Sequence, residues 1–165
     1  MKRALVVAAG LLLLFVLFAG TSLASYFRGV GGELSVTTLL LVSSSISAFA
    51  FGLKPPGRQE LETLATFVLL AGAFLYPMSL GLTSFDPYAL GYPERVRALL
   101  LALAPVAVYA SLRGRFLLLL ALALAVVAHR FELLESGNLW DYLLDPWLVL
   151  GMAGFTIFAR FSKSR

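Results

Sequence analysis

Six mostly apolar stretches, separated by short charged segments, dominate this chain of 165 residues. A stretch of about 20 apolar residues is long enough to cross a bilayer as a helix, and a helix satisfies its own backbone polar groups. The stretches cover residues 4–27, 34–53, 63–85, 93–112, 116–128 and 146–159. The pattern predicts an all-α, polytopic membrane bundle of six transmembrane helices with short loops, forming a single transmembrane domain over residues 1–165.

The composition agrees with a lipid environment. Hydrophobic residues make up 60% of the chain, charged residues only 13%, and the mean hydropathy is +0.91. A soluble domain carries about 25% charged residues, so this chain has too few to cover a soluble surface. The sequence has no cysteine, which excludes disulfides, thiolate metal sites and thiol nucleophiles.

The basic residues are distributed unevenly between the two predicted sides of the membrane. One side carries nine of the thirteen Lys and Arg residues: Lys2, Arg3, Lys54, Arg58, Arg113, Arg115, Arg160, Lys163 and Arg165. Cytoplasmic loops are enriched in Lys and Arg, so this bias predicts a multi-pass protein of a bacterial-type inner membrane with both termini in the cytoplasm. The same bias accounts for the net charge of +4, and we expect no nucleic-acid partner.

The first stretch also resembles a secretory signal peptide, because Lys2 and Arg3 precede an apolar run and Ser22-Leu23-Ala24 offers a cleavage site. The run from Ala4 to Gly20 has 17 apolar or glycine residues, which is long for a signal peptide. We therefore expect an uncleaved first helix. Five crossings, arising from a re-entrant or cleaved segment, are the alternative to six.

The last two stretches are too short to cross unaided. The fifth has 13 residues, or about 20 Å of helix against a hydrocarbon core of about 30 Å. The sixth reaches 21 residues only if it begins at Leu139, which draws Asp141 and Asp145 into the outer part of the membrane. Acids at membrane depth are costly and are commonly functional.

Two interpretations of these aspartates stay open. On a continuous helix they lie four residues apart and share a face, which suits a proton or a cation. Alternatively, Asp145 before Pro146 is typical of a helix N-cap, and Asn138 with Asp141 resembles a capping box. Trp140, Tyr142 and Trp147 then form an aromatic belt at the interface. Either way, the segment from Asn138 to Trp147 is a candidate functional or partner-docking surface.

His129 is the only histidine in the chain. Glu132 and Glu135 follow it at intervals of three residues, which suggests a metal site of mixed nitrogen and oxygen ligands. The spacing matches no known metal motif, so an interfacial histidine at a helix end is the favoured interpretation. We predict neither a metal nor a cofactor.

Small residues and prolines mark places where helices approach closely or bend. Ser43, Ser44 and Ser47 in the second stretch give small-xxx-small pairs, and Gly72 lies between two alanines in the third. Pro77 and Pro105 interrupt the hydrogen-bond ladders of two predicted helices.

These features support three hypotheses about function. The leading one is a non-catalytic subunit or accessory protein of an inner-membrane complex, docking through its helix faces and the segment from Asn138 to Trp147. The second is a small transporter or channel for an ion, lipid or apolar metabolite that uses Asp141 and Asp145. The third is a lipid-acting enzyme with a site at His129 and nearby carboxylates. The expected partners are membrane lipids and other integral membrane proteins, or further copies of this chain.

Overall fold

The fold is described here from a computed structural model, which covers residues 2–13, 17–18, 21–22, 25, 29, 32–82 and 84–163. Its helices are α1 (Lys2–Leu13), α2 (Val36–Phe51), α3 (Arg58–Pro77), α4 (Val96–Leu112), α5 (Phe116–Arg130), α6 (Leu139–Leu143) and α7 (Pro146–Lys163). A 3-10 turn covers Tyr88–Gly91, and the two-residue strands β1 (Leu17–Phe18) and β2 (Thr21–Ser22) pair antiparallel. Apart from that short pair, the described residues confirm the predicted all-α class.

The first predicted helix differs most from the prediction. Helix α1 has 12 residues, and the paired strands occupy positions that were expected to be helical. Aromatic and β-branched residues such as Phe18 and Thr21 favour extended backbone, and this local preference competes with the helix. The rest of the predicted first crossing, including Leu23 and Ala24 of the cleavage motif, lies outside the described residues.

The lengths of the helices support the predicted six crossings only in part. Within the described residues, one helix, Arg58–Leu82, is long and apolar enough to cross a membrane by length and composition. Four further apolar helices of 10–17 residues are Val36–Phe51, Val96–Leu112, Phe116–Arg130 and Pro146–Ser162. A bundle of six crossings is therefore not confirmed by length.

The core forms where α3 packs against α7 and α5. Leu64, Val68 and Leu75 of α3 are at most 2% exposed. The predicted close approach at Gly72 is confirmed, since a Cβ there would lie 3.0 Å from Val149 Cγ2 on α7. Beyond Pro77, α3 continues into a π-helical turn, Met78–Leu82, in which Gly81 has a φ of 84°. The predicted interruption at Pro77 is thus also confirmed.

Hydrogen bonds bring three turns together at one end of the bundle, which we call the basic end (52–60, 113–117 and 159–163). Arg58 Nη2 donates to the Ala159 carbonyl at 2.8 Å. Arg115 Nη1 donates to Gln59 Oε1 at 3.0 Å. These contacts gather Lys and Arg residues that are far apart in the sequence.

The opposite end is formed by segments 32–38, 84–95 and 129–147, which we call the acidic end. Its long-range hydrogen bonds join Asp145 to Ser35 and Tyr88 to Asp141. Most of the acidic residues of the chain lie in these segments.

The backbone between α5 and α7 decides between the two interpretations of the last helix. Helix α5 continues through His129 and ends at Arg130, so it does not reach Glu132. A short separate helix, α6, then precedes α7, and Leu144 between them is extended with φ −136° and ψ 143°. Asp141 and Asp145 therefore do not lie on one continuous helix. Helix α4 also begins at Val96, because Pro93 and Glu94 form a turn before it.

Candidate functional site at the acidic end

Asp145 is a buried carboxylate that joins the N-termini of two helices. The residue is only 3% exposed. Oδ1 accepts from the Leu148 amide at 2.8 Å and so caps α7, as the Asp-Pro pattern predicted. Oδ2 accepts from the Ser35 amide at 2.9 Å and the Ser35 hydroxyl at 2.7 Å, and also from the Thr38 hydroxyl. The positive ends of α2 and α7 thus both face one negative charge.

Ser35 completes the junction by capping α2 itself. Its Oγ accepts from the Thr38 amide at 3.2 Å, as expected of a serine N-cap. The Ser35 hydroxyl hydrogen is directed at Asp145. Four hydrogen-bond donors of the protein therefore satisfy the Asp145 carboxylate. They compensate the cost of burying its charge.

Asp141 belongs to a separate hydrogen-bond cluster. Its Oδ2 accepts from the Tyr88 hydroxyl at 2.7 Å and from the Ser136 hydroxyl. Burial, and next the hydrogen bond to Asp141, raise the pKa of the Tyr88 phenol well above its ordinary value of 10.0. The phenol is therefore a proton donor to Asp141 at every physiological pH.

Asn138 caps α6 but forms only half of the predicted capping box. Its Oδ1 accepts from the Trp140 amide at 3.0 Å. The Asn138 backbone amide donates to Ser136 Oγ at 3.1 Å instead of to Asp141. Asp141 instead accepts from the Tyr88 hydroxyl. The bond to Ser136 thus replaces the hydrogen bond that a capping box would make from the Asn138 backbone amide to Asp141.

Asn138 and Trp140 also hold the 3-10 turn Tyr88–Gly91 against α6. Asn138 Nδ2 donates to the Tyr88 carbonyl at 2.9 Å, and Trp140 Nε1 donates to the Pro87 carbonyl at 2.9 Å. Gly91 permits this approach, because a Cβ there would lie 1.8 Å from Asn138 Oδ1. Trp140 is only 5% exposed, so it is a buried anchor and not a member of a solvent-facing or lipid-facing belt.

His129 and Glu132 do not converge on a common ligand. His129 Nε2 lies 3.1 Å from the Gly137 carbonyl, and its ring meets the Tyr142 ring edge to face at 5.2 Å between centroids. Glu132 is exposed in the turn after α5, with a φ of 51°. Among the described residues, no group of three or more His, Cys, Asp or Glu side chains is arranged to hold a metal ion.

Both aspartates nevertheless line one pocket of about 330 Å³. Its wall also includes Glu33, Tyr76 and Glu135. The Glu135 amide donates to Glu33 Oε2 at 2.7 Å, which closes the pocket rim. One of the two interpretations of the sequence placed the aspartates on one helix face, whereas the structure brings them together from either side of a helix break.

Trp147 is exposed, at 41%, as is Pro146 before it. Sequence reasoning missed Ser35, Thr38, Tyr88 and Gly91, which hold the aspartates and Asn138 in place. The signal for Ser35 was available, because a serine directly before an apolar run is typical of an N-cap. The partnership of Ser35 with Asp145, 110 residues away, leaves no local trace.

Comparisons with known proteins identify no relative of this chain. No protein-family model matches the sequence, and neither a curated protein nor a solved structure matches it. Its function is therefore argued from its own residues and their arrangement.

Proposed function

We propose that the chain is a non-catalytic integral membrane protein that serves as an accessory subunit of a larger inner-membrane complex. The observation that carries the membrane proposal is the outward position of its apolar side chains. Thirty-one large hydrophobic residues of the described part are at least 36% exposed. Water tolerates isolated apolar side chains but not continuous apolar helix faces, whereas lipid suits them.

The proposed topology is six crossings with both termini in the cytoplasm, and five crossings as the alternative. The clustering of Arg58, Arg115 and Arg160 at the basic end supports this orientation, since positive residues favour the cytoplasmic side. Helices of 15 to 18 residues, such as α2, α4, α5 and α7, reach about 22 to 27 Å. Such crossings require local thinning of the bilayer or the support of neighbouring helices.

The non-catalytic role is supported by how the polar groups of the acidic end are used. Asp145 is occupied by two helix N-termini, and Asp141 by Tyr88 and Ser136. Asn138 and Trp140 hold backbone groups of the neighbouring turn. A catalytic reaction at these residues would require breaking the hydrogen bonds that hold the acidic end together.

The docking surface proposed for a partner subunit is the apolar rim of the acidic end. Phe131 is 71% exposed, Leu133 68% and Trp147 41%. Aromatic and large apolar side chains of this kind are the usual anchors of an interface. Helix α2 offers a second face, where the Ser43 and Ser44 hydroxyls bond back to Leu40 and Leu41 of their own helix. That arrangement leaves small side chains outward for close helix packing.

Purification of the tagged full-length chain in a mild detergent tests the proposal. We expect quantitative mass spectrometry to find one or more foreign integral membrane proteins at a fixed ratio to the chain. Phe131→Ala should reduce that ratio several-fold, whereas Phe161→Ala, a phenylalanine of equal exposure at the basic end, should leave it unchanged. Recovery of the chain alone, as monomer or homo-oligomer, would contradict the accessory role.

The second candidate function is cation or proton transport through the acidic pocket. The observation that favours it is the position of Asp141 and Asp145 on one wall with Glu33, Glu135 and Tyr76. Flux across liposomes containing the purified chain tests it, with Asp141→Asn as the informative variant because Asp145 is needed for the fold. Flux that is absent, or unchanged in Asp141→Asn, excludes this use of the pocket.

A further inference from the structure

A groove of about 420 Å³ opens at the basic end, away from the acidic pocket. It lies between the first turns of α3, the last turns of α4 and the start of α5. The residues that matter for its chemistry are Gln59, Thr63, Phe67, Val106, Tyr109 and Arg115. The accessory role proposed above makes no use of any of them.

Arg115 presents an unused hydrogen-bond donor in this groove. Its Nη1 is held by Gln59 Oε1 at 3.0 Å, which fixes the guanidinium group. Its Nε is buried and has no hydrogen-bond partner among the described residues. That atom has no surface open to the groove, so a ligand would be held by the outer guanidinium nitrogens, of which only Nη1 has a partner, Gln59, among the described residues.

The electrostatics of the groove favour an anion as that acceptor. Its one carboxylate, Glu62, is paired with Arg58 at 2.8 Å. Lys54 lies in a neighbouring turn of the same end and adds positive potential, while the Glu60 carboxylate is engaged by the Leu117 amide. The Thr63 and Thr66 hydroxyls donate to the Gln59 and Glu62 carbonyls at 2.8 Å, so the Arg115 guanidinium is the donor that the groove offers to an anion.

The remaining wall of the groove is apolar. Phe67, Leu70, Val106 and Leu118 extend from the charged rim along the faces of α3, α4 and α5. A site with a cationic rim and a hydrocarbon wall fits an amphiphile in preference to a free anion. It also lies where the positive-inside bias places the cytoplasmic leaflet, which is rich in anionic lipids.

We propose that this groove binds an anionic phospholipid, with a phosphate oxygen accepting from the outer guanidinium nitrogens of Arg115 and the first acyl carbons lying on Phe67 and Val106. The proposal rests on the membrane location proposed above, but not on any partner subunit. A charge-assisted bond to a phosphate is among the strongest that an arginine makes, and its planar fork suits phosphate geometry.

Native mass spectrometry of the full chain in a neutral detergent tests this inference. The chain is titrated with phosphatidylglycerol and with phosphatidylcholine of identical acyl chains. We expect phosphatidylglycerol to bind about tenfold more tightly, because both lipids offer a phosphate oxygen but the choline ammonium of phosphatidylcholine is repelled by the cationic rim. Arg115→Gln should abolish that preference. Arg113→Gln, which removes the same charge two residues away from an exposed side chain, should leave it within about twofold.

Two further measurements keep the test decisive. Should Arg115→Gln fail to fold, Thr66→Phe fills the groove from an exposed position and should weaken phosphatidylglycerol binding by a similar factor. Inorganic phosphate at millimolar concentration should not displace the lipid, and displacement would assign the site to a free anion and overturn the lipid proposal. Equal losses in Arg113→Gln and Arg115→Gln, or no preference in the wild-type chain, would also overturn it. Co-purification of partner subunits does not depend on these outcomes, so the two proposals fail separately.

Discussion

The two ends of the bundle differ in how far their polar groups are satisfied inside the chain. At the acidic end, Asp145, Asn138 and Trp140 are almost fully buried and make long-range hydrogen bonds. At the basic end, the contacts of Arg58 and Arg115 are mostly exposed, and Gln59 is the one hydrogen-bond partner of the Arg115 side chain among the described residues. The acidic end is therefore a finished structural junction, whereas the basic end has a group that a ligand can complete.

This difference changes which end is expected to tolerate substitution. When one member of a buried hydrogen bond is removed and no water replaces it, the other member is left unsatisfied. The resulting loss of stability is large. Exposed ion pairs contribute little, because water replaces them. We therefore expect variants of the acidic end to lower stability most, and variants of the exposed arginine contacts at the basic end to alter binding at nearly constant stability.

The largest effect is expected for Asp145→Ala. The substitution removes the cap of α7 and leaves Ser35 and Thr38 without their acceptor, which should lower the free energy of unfolding by about 2 to 4 kcal/mol. The measurement is chemical unfolding in detergent micelles. Glu94→Gln, an exposed acid at the same end, serves as control and should change stability by less than about 0.5 kcal/mol.

Gly91→Ala should have the next largest effect. Its Cβ would overlap Asn138 Oδ1 and approach Trp140 Cδ1 to 2.9 Å, so the 3-10 turn must move away from α6. We expect a loss of about 1 to 3 kcal/mol, as for other overpacked sites. Gly137→Ala is the matched control, since no atom lies within 4 Å of its Cβ position. Equal stability of both alanine variants would mean that the turn and α6 are not clamped together.

At the basic end, two nearby glutamates allow the contribution of a helix cap to stability to be compared with that of a surface ion pair. Glu60 Oε2 accepts from the Leu117 amide at 2.8 Å and caps α5 from another helix. Glu60→Gln should lower the free energy of unfolding by about 1 kcal/mol. Glu62→Gln loses an exposed pair with Arg58 and should lower it by only a few tenths of a kcal/mol. The reverse order would show that this end depends on its ion pair.

The smallest effect concerns pH. The Tyr88 phenol has a pKa raised above 10.0 in the folded protein by burial and by Asp141. The stability it contributes is fully present below about pH 10, the value for the unfolded chain, and is lost as pH rises toward the folded pKa. Unfolding midpoints between pH 8 and 11 should therefore fall more steeply for the wild-type chain than for Tyr88→Phe. Tyr109→Phe, at an exposed position at the other end of the bundle, should follow the wild-type curve.

The sequence was sufficient to predict what depends on local signals. Apolar runs located α2 to α5 and α7 within a few residues, because hydrophobic patterning dominates helix formation. Asp145 before Pro146 and Asn138 before Leu139 were predicted as caps, and the structure confirms both. Cap chemistry is local, so it can be recognised without a fold.

The remainder depended on contacts between distant segments. The break at Leu144 arises because α6 is held by Pro87 and Tyr88 while Asp145 turns to Ser35. A sequence pattern contains no record of partners 50 or 110 residues away. Of the two interpretations left open, the shared helix face of Asp141 and Asp145 was therefore wrong and the caps were confirmed, although both residues do line one pocket.

The most direct test of the central claim, that Asp145 acts as a shared cap joining α2 to α7, is a double-mutant cycle with Thr38→Val and Asp145→Asn. Thr38 belongs to α2 and donates to the Asp145 carboxylate across 107 residues of sequence. Free energies of unfolding for the wild-type chain, both single variants and the double variant give the coupling between the two side chains. We predict a coupling of about 1 kcal/mol or more, as for groups in one buried network. Additivity within about 0.3 kcal/mol would contradict the shared cap.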